Sequence, residues 1–344
     1  MRIYLFAIVT LLFCHCKPGA DTNQSEQATD SARSDDFGMI ERSNSALDQI
    51  IPETAKIEVL SEGYEWTEGP VWVETHQMLL FSDIPRNSIF KWSETDGASL
   101  YLKPAGFTGE IERKGEPGSN GLLLDSDGNL ILCQHGDRRI ARLIGGLENP
   151  KAEYETIVNK YEGKRFNSPN DATFNRAGDL YFTDPPYGLE GNMDDPGKEI
   201  PFQGVYRVKA GSDKAELLLD SLTRPNGIAL SPDERILYVA NSDPNKAIWM
   251  KYSLNEGVPT EGSIFYDATA LVGQEKGLPD GLKVHSSGII FATGPGGVWI
   301  FNPQGEVLGK IKTGEATANC AFDQNENYLY ITADMYLLRV QLVG

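Results

Sequence analysis

The sequence predicts an all-β fold, a six-bladed β-propeller. Three observations carry that expectation: one short pattern recurs six times, no long stretch follows a 3.6-residue period, and alternating apolar runs are separated by Asp-Gly and Gly-Asp turns.

The repeats open at Thr67-Glu68-Gly69-Pro70, Ser119-Asn120-Gly121, Pro169-Asn170-Asp171, Pro225-Asn226-Gly227, Pro279-Asp280-Gly281 and Ala318-Asn319-Cys320. A short apolar run, a polar turn and a second apolar run follow each opening. The fullest copy runs from Arg224 through Ile228-Ala229-Leu230 and Ser231-Pro232-Asp233 to Ile236-Leu237-Tyr238-Val239-Ala240. The steps between openings are 52, 50, 56, 54 and 39 residues, lengths that suit propeller blades built from short strands. Runs such as Gly178-Asp179-Leu180-Tyr181-Phe182-Thr183 and Tyr328-Leu329-Tyr330-Ile331-Thr332 read as those strands. The alternating segments Lys56-Ile57-Glu58-Val59-Leu60 and Leu337-Leu338-Arg339-Val340-Gln341-Leu342 are expected to share the last blade and close the ring, which removes an exposed sheet edge. The irregular stretches 103–118 and 185–202 exceed the usual loop length and are expected to border a functional mouth.

Three domains follow. Residues 1–16 read as an export signal: Arg2 precedes an apolar run from Ile3 to Phe13, too short to span a bilayer. Cys14 and Cys16 at its end give it the look of a bacterial lipoprotein signal, with Cys16 preferred as the lipid-bearing residue; an ordinary export signal is the alternative. The chain is thus expected in the periplasm or cell envelope, with or without a lipid tether to the membrane. Residues 17–50 are polar and poor in aromatics, as in a flexible tether. Residues 51–344 form the propeller. Its two cysteines, Cys133 and Cys320, lie beside apolar strands and read as buried free thiols. The formal net charge of −18 repels phosphate backbones and excludes nucleic acid as a partner.

In a propeller the same position of every blade lies at one height and radius. The six openings therefore bring Glu68, Asn120, Asn170, Asn226, Asp280 and Asn319 toward the axis. Each Asn-Gly or Asp-Gly taken alone is a turn signal. Glu68, a poor turn residue in the same phase, is not explained that way. A ring of oxygen donors suits Ca²⁺ or a similar cation, with Mg²⁺, Mn²⁺ or Zn²⁺ as alternatives. Glu68 and Asp280 carry two negative charges, enough to balance one divalent ion. Such an ion polarises a carbonyl and activates water, and Asp280 is the candidate base because Glu68 must hold the cation.

Other chemistries are excluded. No Gly-x-Ser-x-Gly elbow occurs, and four histidines, His15, His76, His135 and His285, are too few and too scattered for a multi-histidine zinc site. Gly294-Pro295-Gly296-Gly297 precedes no helix and reads as a blade turn. His135, in Cys133-Gln134-His135-Gly136-Asp137, is either a structural histidine or one facing substrate.

The chain resembles the gluconolactonase-like family that includes senescence marker protein 30 (regucalcin), over roughly residues 55–340. The resemblance rests on Glu68-Gly69-Pro70-Val71-Trp72, Ser82-Asp83-Ile84-Pro85, Gly115-Glu116-Pro117-Gly118-Ser119-Asn120-Gly121 and Gln134-His135-Gly136-Asp137-Arg138-Arg139. It continues through Asn167-Ser168-Pro169-Asn170-Asp171, Tyr181-Phe182-Thr183-Asp184-Pro185-Pro186-Tyr187-Gly188, Arg224-Pro225-Asn226-Gly227 and Pro279-Asp280-Gly281. The combination looks like the bacterial gluconolactonase branch. It implies a six-bladed propeller with a central divalent cation, usually Ca²⁺, held by Glu68, Asn170, Asn226 and Asp280, the last also the base. It implies a small sugar lactone as substrate. Asn120 and Asn319 are expected to line the pocket, and the family's substrate-contacting arginine is placed on Arg165. The rival readings are a non-enzymatic propeller binding Ca²⁺ or carbohydrate at the cell surface, and a propeller esterase acting on another ester or phosphotriester.

Overall fold

The computed structural model describes residues 37–111 and 113–343. The export signal, Cys14, Cys16 and the tether up to residue 36 lie outside them. Six antiparallel sheets form the blades of a propeller. Their innermost strands are Thr67–Val73, Ser119–Leu124, Ala172–Phe174, Pro225–Leu230, Leu282–Val284 and Thr317–Phe322, one for each repeat opening. Helical content among the described residues is confined to short 3₁₀ turns.

Alternation along each strand feeds two seams at once. In the second strand of blade 2, Leu130 and Leu132 pack against blade 1, while Ile131 and Cys133 pack against blade 3. Side chains of successive strand residues point to opposite faces, and both faces of a blade are covered by neighbours. That is why these strands read as continuous apolar runs. Every seam has its own apolar cluster, and together they form a ring of cores around the axis. Cys133 and Cys320 are both buried free thiols in those seams.

The chain ends close the ring as their alternation predicted. Ile57–Glu62 pairs with Tyr336–Gln341 in register Ile57↔Val340, so the first described residues of the repeat region and the last share blade 6.

Residues 37–50 correct the expected tether. Met39–Arg42 adds a fifth strand to blade 5, with Ile40 opposite Ile311. A 3₁₀ turn, Ser45–Gln49, follows, capped by Asn44, whose side chain accepts the Ala46 amide at 2.9 Å. Leu47 and Ile51 are fully buried between blades 5 and 6. Arg42 ties the segment down, donating to Asp48 at 2.7 Å and to the Ile51 carbonyl at 3.1 Å. Mean polarity concealed the anchor Leu47, whose burial contributes about 1.5–3 kcal/mol.

The glycines after the openings serve close approach, and Gly69 in addition takes a left-handed φ of 51°. A Cβ on Gly227 would collide with the Asp280 carbonyl of the next blade. Inner strands converge tightly there, and glycine follows the oxygen-bearing residue at four of the six openings, with Asp171 and Cys320 at the other two.

Candidate functional site

Two local devices set the openings in place. The first pins the loop ahead of an inner strand to the end of that blade's second strand. Asp83 accepts the amides of Glu65 and Trp66 at 3.2 and 3.3 Å. Asp184 accepts those of Asn167 and Ser168 at 2.8 and 2.7 Å. Asn241 accepts the Arg224 amide at 2.9 Å. The second device links one blade to the next. The hydroxyl of Ser82 donates to the Asn120 carbonyl at 2.9 Å, Thr183 to that of Asn226 at 2.6 Å and Thr293 to that of Ala318 at 2.8 Å. Opening backbones are thus held by side chains of the preceding blade, which leaves their own side chains free to point at the axis.

Five of the six opening residues, Glu68, Asn120, Asn170, Asn226 and Asp280, line one cavity of about 450 Å³. The Oδ1 atoms of Asn120, Asn170 and Asp280 are buried without a hydrogen-bond partner. Buried acceptors are ordinarily satisfied, and three such oxygens facing one cavity mark a place for a ligand that takes oxygen donors. Asp280 keeps part of its surface open to the cavity, but its Oδ1 is shut off from solvent. Burial raises its carboxyl well above the usual range, and the charges of Glu68, Glu116 and Asp171 push in the same direction. Glu68 is raised by burial too, against the pull of the Gly69 amide. A divalent cation placed between them would favour the ionised form of both carboxyls. Among the described residues no three His, Cys, Asp or Glu side chains gather as a metal site, so a cation here would need asparagine oxygens beside the two carboxylates. Two carboxylates with neutral amide oxygens fit a hard cation.

The sixth opening residue departs from the pattern. Asn319 does not line the cavity; its Nδ2 donates to Glu68 Oε2 at 3.1 Å.

Arg165 is not part of the site. The short hairpin of Lys160–Tyr161 and Lys164–Arg165 carries it to the surface, where its Nε pairs with Glu199 at 2.5 Å. Proximity to Asn170 in sequence does not survive that hairpin. His135 is fully buried and stands behind the wall. Its Nδ1 lies 3.3 Å from Glu116 Oε2 and its Nε2 3.5 Å from Asn170 Nδ2, so it touches two lining residues rather than the cavity.

The lining residues not singled out from the sequence include Trp66, Glu116, Tyr187 and Arg224. Glu116 and Tyr187 come from the long stretches 103–118 and 185–202, which do border the mouth. Tyr187 donates to the Ser242 carbonyl at 3.4 Å, and burial keeps its hydroxyl protonated. Arg224 immediately precedes an opening, and its half-buried guanidinium enters no ion pair among the described residues.

Comparison with known proteins agrees with this geometry. The sequence profile described as "SMP-30/Gluconolactonase/LRE-like region" matches residues 66–334. A gluconolactonase of Zymomonas mobilis is 39% identical over 331 residues, covering 93% of this chain and 90% of the relative. A gluconolactonase of Xanthomonas campestris has a similar structure, with a TM-score of 0.79 at 28% identity over 92% of this chain and 99% of that one. A calcium-binding regucalcin of Agrobacterium tumefaciens shares the fold, with a TM-score of 0.63 at 17% identity over 83% of this chain and 94% of that one. The chain belongs to the SMP-30/gluconolactonase/LRE-like family.

Proposed function

We propose that the protein is a metal-dependent lactone hydrolase that opens a sugar lactone of the glucono-1,5-lactone kind to its acid. The observation that carries this reading is the cluster of unpartnered oxygens of Asn120, Asn170 and Asp280 in one cavity with Glu68 and Asn226. Glu68, Asn170, Asn226 and Asp280 would hold the cation, Ca²⁺ first among the candidates. When bound, the ion supplies Lewis acidity at the lactone carbonyl and lowers the pKa of water.

The remaining roles belong to the chain. Asp280 accepts a proton from the attacking water, whose oxygen bonds to the carbonyl carbon. The ring C–O bond then breaks, and the departing alkoxide takes the proton back from Asp280, which restores the carboxylate. Arg224 presents donors to the oxygen-rich substrate, while Glu116 and the Tyr187 oxygen, whose hydrogen goes to Ser242, accept from its hydroxyls. Trp66 offers an apolar ring to the sugar's C–H face. Export to the cell envelope, with lipid attached at Cys16 or Cys14, belongs to the same proposal. Fractionation of cells fed a labelled fatty acid tests it.

The test of the activity is hydrolysis of a small lactone panel by the full chain with Ca²⁺, Mg²⁺, Mn²⁺ and Zn²⁺, corrected for spontaneous opening. Metal-dependent turnover of a sugar lactone supports the reading. Cation binding without turnover of any lactone would favour a binding protein or another ester class.

A further inference from the structure

We infer that Asn319 is a positioning residue that orients Glu68 toward the cation, an inference that rests on the metal reading above. Both ends of its amide are committed. Oδ1 accepts the Cys320 amide at 2.9 Å and the Lys283 ammonium at 3.3 Å. Nδ2 donates to Glu68 Oε2 at 3.1 Å and approaches Asp171 Oδ2 at 3.5 Å. A flipped amide would set its NH₂ group against a backbone N–H and an ammonium, so the donor end is fixed toward Glu68.

The neighbours remove the remaining freedom. Asn319 is 2% exposed, and a Cβ on Gly281 would run into its Cγ. Lys283 also stands 3.7 Å from Asp171 Oδ2, so the buried Asp171 carboxylate has a cation beside it. Glu68 Oε2 is then gripped by two donors, the Gly69 amide at 2.6 Å and Asn319. Two donors on one oxygen fix the plane of the carboxylate and leave its other oxygen uncommitted. This gives work to Asp171 and Lys283, two charged groups that the proposed reaction does not use. It also explains why the sixth opening breaks the pattern: its asparagine serves another opening residue instead of the cavity. Partners that orient metal ligands typically change metal affinity by about 10–100-fold.

The test is calorimetric titration of the chelated full chain with Ca²⁺, beside thermal unfolding in chelator. Asn319→Leu keeps the volume and removes the donor. The expected result is roughly 10–100-fold weaker binding, with turnover recovered at saturating Ca²⁺; the leucine variant should also melt somewhat lower without cation, the cost of the stranded Cys320 amide, whereas the aspartate variant keeps that acceptor. Asn319→Asp serves where the leucine variant fails to fold, since it retains the acceptor for Cys320. Added negative charge alone would tighten binding, whereas loss of the donor weakens it. Unchanged or tighter binding in the variants, with wild type binding normally, would overturn this inference alone. A wild-type chain that binds none of Ca²⁺, Mg²⁺, Mn²⁺ or Zn²⁺ would overturn the metal reading and this inference with it.

Discussion

Asp184 accepts the Ser168 amide at 2.7 Å, and through that bond the end of one strand sets the loop that presents Asn170 to the cavity. The second oxygen of the same carboxylate takes the Asn167 amide at 2.8 Å. Replacing Asp184 by Ala leaves two buried N–H groups unsatisfied, and the expected loss of stability is about 2–4 kcal/mol. Urea unfolding near pH 4 measures it, because the contribution of the carboxyl fades as pH rises toward 7.

The same residue predicts a pH slope. Burial raises the Asp184 carboxyl to about 7 from an ordinary 3.8. The folded chain therefore holds that proton more tightly than the unfolded chain does. Its stabilising contribution is complete below the unfolded value and is lost as pH rises through about 7. Each pH unit in that window is worth up to about 1.4 kcal/mol. Unfolding between pH 4 and 7 should show a shallower fall with rising pH in Asp184→Ala than in wild type, both in chelator.

Asp280→Asn should remove turnover and spare the fold. The amide cannot accept a proton, so kcat should drop at least about 100-fold. Because burial and the Glu68 charge already disfavour the Asp280 carboxylate, the cation-free melting temperature should hold or rise. Turnover near the wild-type rate would show that another group is the base.

Cation binding should release protons. Burial raises both Glu68 and Asp280, so each holds protons to higher pH than a free carboxyl, and a divalent ion must displace them. Affinity should fall as pH is lowered from 8 to 6. Calorimetry in two buffers of different ionisation enthalpy should give different apparent heats at pH 7. Identical heats would mean that the carboxylates are already ionised.

Two arginines separate the expectation from sequence and the site as it stands. Arg224→Leu should raise KM for a sugar lactone roughly tenfold, the cost of a lost charged donor. Arg165→Ala, which breaks only an exposed pair with Glu199, should change KM by less than about twofold.

The propeller was legible because its repeat has a fixed phase: an oxygen-bearing residue, then glycine or another small step, then an apolar run. That phase placed Glu68, Asn120, Asn170, Asn226 and Asp280 on one cavity. It also placed Asn319 near the axis but could not show that its amide turns to Glu68, because that depends on contacts from Cys320 and Lys283. Arg165 was misplaced because a hairpin reverses the chain just before the opening. Glu116 and Tyr187 sit in loops whose length announced a role while their conformation, and so the residue that faces inward, stayed hidden. The end of the tether was missed because Leu47 is the one fully buried apolar side chain among its described residues, with Phe37, Ile40 and Ile50 packed only partly against the core in a polar stretch.

The central claim is that a cation held by the axial oxygens enables lactone opening. Its most direct test is glucono-1,5-lactone hydrolysis by the full chain after exhaustive chelation, and again after Ca²⁺ is restored, with the metal content of each sample measured. The account predicts only the spontaneous rate in the chelated sample and recovered turnover on re-addition. Full turnover in a sample shown to contain no metal would contradict it.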